Sequence, residues 1–241
     1  MSKYWLSALL LISAGAALAA GEGEYEAPHN DVGDVESLQR GARYFVNYCL
    51  GCHSAEYVRY NRVAEDLGIG EKQLAENLMF TGERPSDTMK NSMSEEDANR
   101  WFGVVPPDMS LLARSRGTDY IYSFLRSFYA SPERPTGVDN TVLPGTAMPH
   151  VLWELQGVQQ AVFSTDEAGN EHFEHFAAGM PGQLTAAEYD DLVRDIVNFL
   201  DYLSEPMQLE RQAIGIRVIA FLLVFLVLAY MLKKEVWKDV K

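Results

Sequence analysis

The sequence is poor in cysteine: its 241 residues hold two, Cys49 and Cys52. A disulfide-scaffolded domain needs more, and a four-cysteine zinc site is excluded. Histidine is scarce too, and His172 and His175 are too few to complete a zinc site around one cysteine pair. Positive charge is also short, with 20 Lys and Arg against 34 Asp and Glu. Such a surface repels phosphates, which argues against a nucleic-acid partner. There are no internal repeats, so solenoids and propellers drop out.

Long apolar runs are present at both ends. Near the start, Lys3 precedes a short apolar run from Trp5 to Ile12, and Ala17-Leu18-Ala19 fits a small-x-small cleavage site. Residues 1–19 therefore read as an export signal cleaved after about Ala19, with an uncleaved N-terminal anchor as the alternative. Near the end, Ala213 to Leu232 is apolar on every face, with Arg217 its one charge. About 20 such residues cross a bilayer as a helix, and Arg217 lies close enough to one end to snorkel. The tail 233–241 carries four lysines against two acids and stays on the cytoplasmic side by the positive-inside rule.

The plan is then an exported domain at residues 35–205. Before it lies a flexible segment, 20–34; after it come a linker, 206–212, and a single span, 213–232. Without Lys3 and the five basic and two acidic residues of the C-terminal segment, 14 basic residues face 32 acidic ones. A basic protein partner would be steered toward that surface.

Both cysteines sit in "CLGCHS", residues 49–54. Two cysteines in an oxidising compartment could form a disulfide, and C-x-x-C could exchange thiols, though the flanking sequence lacks a strand–helix alternation. The added His53 makes the motif C-x-x-C-H, the pattern of covalent c-type haem attachment. Each thiol joins one vinyl group, and the adjacent histidine reaches the iron as proximal ligand. Leu38, Ala42, Phe45 and Val46 share a helical face just before the motif.

The second axial ligand decides between electron transfer and an open iron. Methionine raises the potential relative to a second histidine. Met148 lies in "VLPGTAMPHVLW", a loop stiffened by Pro144, Gly145 and Pro149; Met180 in "AAGMPGQL" is its rival, and His150 is conceivable. Downstream, Thr185 and Glu188 form a capping box with Leu184 as staple. Tyr189, Leu192, Val193, Ile196, Phe199, Leu200 and Leu203 supply an apolar stripe that Pro206 ends. A first helix, a haem turn, a methionine loop and a last helix are the parts of a class I cytochrome c domain. The expected fold is mainly α, with a small β-hairpin excursion around residues 160–179 bearing His172 and His175, plus the C-terminal transmembrane helix. Ser94 opens a further helix.

Several stretches in order resemble the cytochrome c1 family: "LQRGARYFVNYCLGCHSAEYVRYNRV", "VVPPDMSLLARSRGTDYIYSFLRSFY", "GVDNTVLPGTAMPHVLWELQG", and the terminal span with its basic tail. The resemblance covers about residues 35–241. It implies haem thioethers at Cys49 and Cys52, axial ligation by His53 and Met148, propionate contacts from Arg116 and Tyr120, and a pocket wall at Pro106 and Pro107. It further implies one haem c, in the electron-transfer subunit of a bacterial quinol–cytochrome c oxidoreductase. Cytochrome b and a Rieske iron–sulfur protein would be its partners in a dimeric complex, and a c-type cytochrome its acceptor. Two departures are visible. Trp101 and Phe102 stand where mitochondrial members carry asparagines, and the methionine loop reads M-P-H. The rival readings are a stand-alone anchored cytochrome c, a haem subunit of a terminal oxidase, an open-iron haem enzyme or sensor, and a haem-free thiol oxidoreductase.

Overall fold

The computed structural model describes residues 25–166 and 169–239; the export signal expected at 1–19 lies outside them. Two helices far apart in sequence organise the domain. Helix α1, Val35–Tyr44, is capped by Asp34, whose side chain accepts from Ser37 N. Its apolar stripe runs on through a π-helical turn, Phe45–Cys49, and Leu38, Ala42, Phe45 and Val46 are all buried as their spacing requires. The last domain helix, Ala186–Ser204 (α8, numbered in chain order), starts at the capping box of Thr185 and Glu188 and stops before Pro206. Every residue of its predicted stripe is buried. The two helices pack together through Phe45 and Phe199, ring centroids 5.7 Å apart.

Polar groups pin this pair. The Asp195 carboxylate accepts from Ser37 Oγ at 2.7 Å and from Arg40 at 2.6 and 2.9 Å. Asn198 donates to Ser37 Oγ at 3.0 Å and to the Asp31 carbonyl at 2.7 Å. A charge taken from water costs little once it is paired and hydrogen-bonded in this way.

Between the two come short elements. Strand β1 (Ala55–Arg59), α2 (Tyr60–Asp66), α3 (Glu71–Asn77), β2 (Thr88–Met89) and α4 (Glu95–Phe102) come after the cysteine turn. Ser94 caps α4 as predicted, accepting from Asp97 N. Then come α5 (Leu112–Arg116), α6 (Thr118–Arg126), β3 (Phe128–Ala130), β4 (Val138–Asn140), α7 (Trp153–Gln156), β5 (Gly157–Thr165) and β6 (Glu171–Pro181). β1 pairs antiparallel with β2. The second sheet runs β4-β3-β5-β6.

The hairpin is larger than expected. Its strands have nine and eleven residues, span 157–181, and extend a four-stranded sheet through β3. The segment expected to be flexible also differs. Its described part, 25–34, is extended but docked: Asn30 donates to Asn198 and Asp201, Arg194 donates to the Pro28 carbonyl, and Glu26 pairs with Arg126. Local composition could not reveal partners some 100 to 170 positions away. Finally, helix α9 runs Gln208–Val236, so most of the expected linker is helical. It is the one described helix apolar and long enough to cross a membrane, with mean hydropathy 2.6 over its best window and no part of that window buried.

Candidate functional site: the C-x-x-C-H turn and the methionine loop

The π-turn delivers the cysteine motif. Leu50 N donates to Phe45 O at 2.9 Å, and the Cys49 carbonyl then accepts from both Cys52 N (3.0 Å) and His53 N (2.9 Å). π-turns inside helices recur at functional sites because the extra residue re-aims the side chains beyond it. Both thiols are free and partly buried. Burial pushes the Cys49 thiol up to about 12, with Cys52 adding to the effect, and raises Cys52 as well. Thiol exchange needs the opposite, a thiolate stabilised at neutral pH.

His53 is oriented by a backbone carbonyl. Its Nδ1 lies 2.8 Å from Pro107 O. A carbonyl only accepts, so Nδ1 carries the proton and Nε2 keeps its lone pair. Burial lowers the His53 pKa, the Pro107 bond opposing, which keeps the ring in the neutral form that metals require.

The Pro107 segment is itself laced to the strand after His53. Met109 N donates to Ser54 O at 2.7 Å. Asp108 accepts from Glu56 N at 2.9 Å and from Ser110 N at 2.7 Å, and Ser110 Oγ accepts from Tyr57 N at 3.1 Å. Asn91 adds a third set of contacts, donating through Nδ2 to Cys52 O at 2.5 Å and through its amide to Ser54 Oγ at 3.0 Å. Sequence reasoning missed Asn91, Asp108 and Ser110 as site residues. The signal available was the position of Asp108 and Ser110 directly after Pro107.

The methionine loop hangs on β4. Asn140, fully buried, donates to Phe124 O at 2.8 Å and accepts from Val142 N and Leu143 N at 2.9 and 3.2 Å. Asp139 accepts from Gly145 N at 2.7 Å, and Gly145 takes φ +81°, a left-handed turn that favours glycine. Met148 N then donates to Thr146 Oγ1 at 3.3 Å. The Met148 side chain is partly buried and packs against the main core.

The other candidates are placed differently. Met180 sits in β6 opposite Val158, 52% exposed. His150 is buried and stacked on Phe128, centroids 4.9 Å apart and planes 3° from parallel. Burial lowers its pKa to about 4. Arg116, exposed at the end of α5, has its guanidinium 5.7 Å from the Tyr120 ring centroid. Tyr25 meets the same ring edge-on at 5.5 Å, so these residues form one stack. Burial raises the Tyr120 pKa, with Arg116 opposing. Pro106 and Cys52 line a cleft of about 500 Å³ together with Ser54, Asn91 and Asp108; Pro107 is not in its lining and meets His53 through its carbonyl. In the hairpin, His172 Nε2 lies 3.1 Å from Asp166, and His175 pairs opposite Val162 in the strand ladder. No cluster of three or more His, Cys, Asp or Glu side chains placed to hold a metal ion occurs among the described residues.

The donor set fits a c-type haem. Two free thiols flank a two-residue gap, a neutral imidazole offers Nε2, and an independently anchored loop offers a thioether. Comparison with known proteins agrees. The cytochrome C1 family profile matches residues 29–240. Cytochrome c1 of Allochromatium vinosum is 49% identical over the whole of both chains. The ammonia monooxygenase gamma subunit of Nitrosomonas europaea is 42% identical over all of this chain and 99% of its own. Cytochrome c1 of Rhodospirillum rubrum is 31% identical over 86% of this chain and 83% of its own. The chain thus belongs to the cytochrome c1 family, whose members carry a covalently bound c-type haem.

Proposed function

We propose that this chain is a membrane-anchored monohaem cytochrome, the electron-transfer subunit of a quinol–cytochrome c oxidoreductase. Cys49 and Cys52 would hold one haem c by thioether bonds, with His53 and Met148 as axial ligands. Arg116 and Tyr120 would face the propionates, and Pro106 and Pro107 would wall the pocket. Once bound, the haem supplies a one-electron iron couple. The protein's work is to hold the His53 ring still, keep Nε2 unprotonated, shield the thioether and exclude water. No acid–base residue is required.

The observation that carries this reading is the 2.8 Å contact of His53 Nδ1 with Pro107 O. It favours the tautomer in which Nε2 keeps a lone pair that an iron could take. Exposure of Met180 and the stacking of the buried His150 ring on Phe128 favour Met148 as the second ligand, although His150 Nε2 is buried without a hydrogen-bond partner. Helix α9 would anchor the domain on the periplasmic side of a bacterial inner membrane, with the basic tail in the cytoplasm. A Rieske iron–sulfur protein would be the electron donor, cytochrome b the neighbour in a dimeric complex, and a soluble or anchored c-type cytochrome the acceptor. A basic acceptor would meet the acidic surface in a fast, salt-sensitive encounter.

One relative is named as a subunit of a monooxygenase, and it favours a second reading: the same haem domain serving another membrane enzyme. Co-purification separates the two, since the first requires a dihaem cytochrome b and a Rieske protein. The haem reading is tested by optical spectra of membranes expressing the chain, with and without CO. A CO-insensitive c-type spectrum is the expected result. The sulfur–iron charge-transfer band should be present in the oxidised protein and lost in Met148→Leu. An intact band in that variant moves the ligand to Met180. A wild type without covalent haem, in a host competent for haem attachment, overturns the reading.

A further inference from the structure

We infer that Asp108 is a positioning residue for His53, holding the Pro107 carbonyl against Nδ1 and so setting the electron-donor strength of the imidazole. The inference rests on the reading of His53 as an axial ligand. Its basis is the geometry around one carboxylate. Asp108 Oδ2 takes Glu56 N at 2.9 Å, three residues after His53, and Oδ1 takes Ser110 N at 2.7 Å. One side chain thus closes its own turn and ties it to β1. The flanking bonds Met109 N to Ser54 O and Tyr57 N to Ser110 Oγ run between the same two segments. Pro107 has no such tie of its own: as a proline it offers no amide, and its carbonyl faces His53. Its position is inherited from Asp108.

The consequence is electronic. A carbonyl held at hydrogen-bond distance from Nδ1–H draws on the proton and makes the other nitrogen a stronger donor. A stronger donor favours the oxidised metal. A loosened turn should therefore favour the reduced form, even when both axial bonds remain. Loss of the Asp108 charge would act in the same direction, since a nearby negative charge also favours the oxidised metal, so the two effects must be separated. Glu56 provides the control. Its carboxylate lies beside the same turn, 3.2 Å from Lys90, yet only its backbone amide takes part in the latch.

The test uses the full-length, haem-loaded protein in detergent, as wild type, Asp108→Ala, Asp108→Asn and Glu56→Gln. Two quantities are read: hydrogen exchange at the Glu56 and Ser110 amides, and the reduced-to-oxidised ratio at fixed ambient potential. In Asp108→Ala, exchange at both amides should accelerate about tenfold or more, and the ratio should rise several-fold, since outer-shell partners tune the metal through its ligand. Asp108→Asn keeps one acceptor oxygen and should fall between. Glu56→Gln should leave exchange unchanged and move the ratio less than Asp108→Asn does. If Asp108→Ala fails to accumulate, Asp108→Asn carries the test alone. Unchanged exchange, or a ratio shift no larger than that of Glu56→Gln, overturns the inference. A wild type lacking covalent haem overturns the haem reading instead, and exchange still reports on the latch.

Discussion

Gly41 in α1 packs on the backbone of Asp195 in α8. A methyl group built on Gly41 would come within 2.0 Å of the Asp195 carbonyl oxygen and 2.7 Å of Phe199 Cβ. Backbone cannot yield as a flexible side chain can, so the two helices would have to separate. Gly41→Ala should cost more than the roughly 1–3 kcal/mol typical of overpacking, and the larger Gly41→Val should abolish accumulation of folded protein. Protease resistance of the membrane-bound domain measures this. A Gly41→Val protein with wild-type resistance would contradict the packing.

Asn140 should control access to the methionine side of the site. Its amide satisfies two loop N–H groups and one carbonyl in a place closed to water. Asn140→Ala leaves those groups unpaired, at about 1–3 kcal/mol each for those that cannot find water. The reduced variant should bind CO where the wild type does not, while the haem stays covalently attached. Continued CO insensitivity would show that the loop holds without Asn140.

The capping box makes α8 sensitive to acid. Hydrogen bonds from Thr185 N–H and then its hydroxyl hold the Glu188 carboxyl below its ordinary value. A carboxyl lowered in the folded state contributes stability above its unfolded pKa, near 4.5, and loses it as pH falls through the folded value. Glu188→Gln should therefore lower Tm at neutral pH and flatten its decline below about pH 4.5. Parallel Tm–pH curves for variant and wild type would count against the box. Thr185→Ala should cost about 1 kcal/mol at neutral pH, as N-cap losses do.

Helix α9 leaves the domain with few ties. Arg62 donates to Met207 Sδ at 3.1 Å, and Glu205 pairs with Arg211 and, at 3.8 Å, with Arg114. A chain truncated after Met207 should keep the domain and lose the membrane. Fractionation should move it from the membrane pellet to the soluble fraction, with haem and Tm close to those of the full chain. Retention in the pellet would assign the anchoring to another part of the chain.

The elements legible in the sequence are those with a period or a cap of their own. The stripe of α1, the capped stripe of α8 and the all-round apolar α9 each carry their signal within a dozen or two residues. The C-x-x-C-H motif stands out because it sets rare residues at fixed spacing, whereas the loop around Met148 is marked only by its Pro and Gly punctuation. Strands β2, β3 and β4 have two or three residues and no period to read. The hairpin is visible but undersized in the sequence, because its strands alternate weakly, β5 being mostly half-buried and β6 mostly exposed. Asn91, Asp108 and Ser110 act on backbone groups 39 to 53 positions away, a relation that no local pattern encodes.

The segment at 25–34 reaches from the first described residues to the last helix of the domain, through Asn30 to Asn198 and Asp201. Gly41 and Ser37 in α1 await the same helix. If the domain is exported N-terminus first, as the proposed periplasmic placement requires, these contacts cannot close until residues 186–204 have emerged. The next segment in the chain is α9, the proposed anchor. On the proposed reading, the cysteine turn would stay open to the machinery of haem attachment through most of export, and the domain would shut at about the moment the chain became fixed in the bilayer.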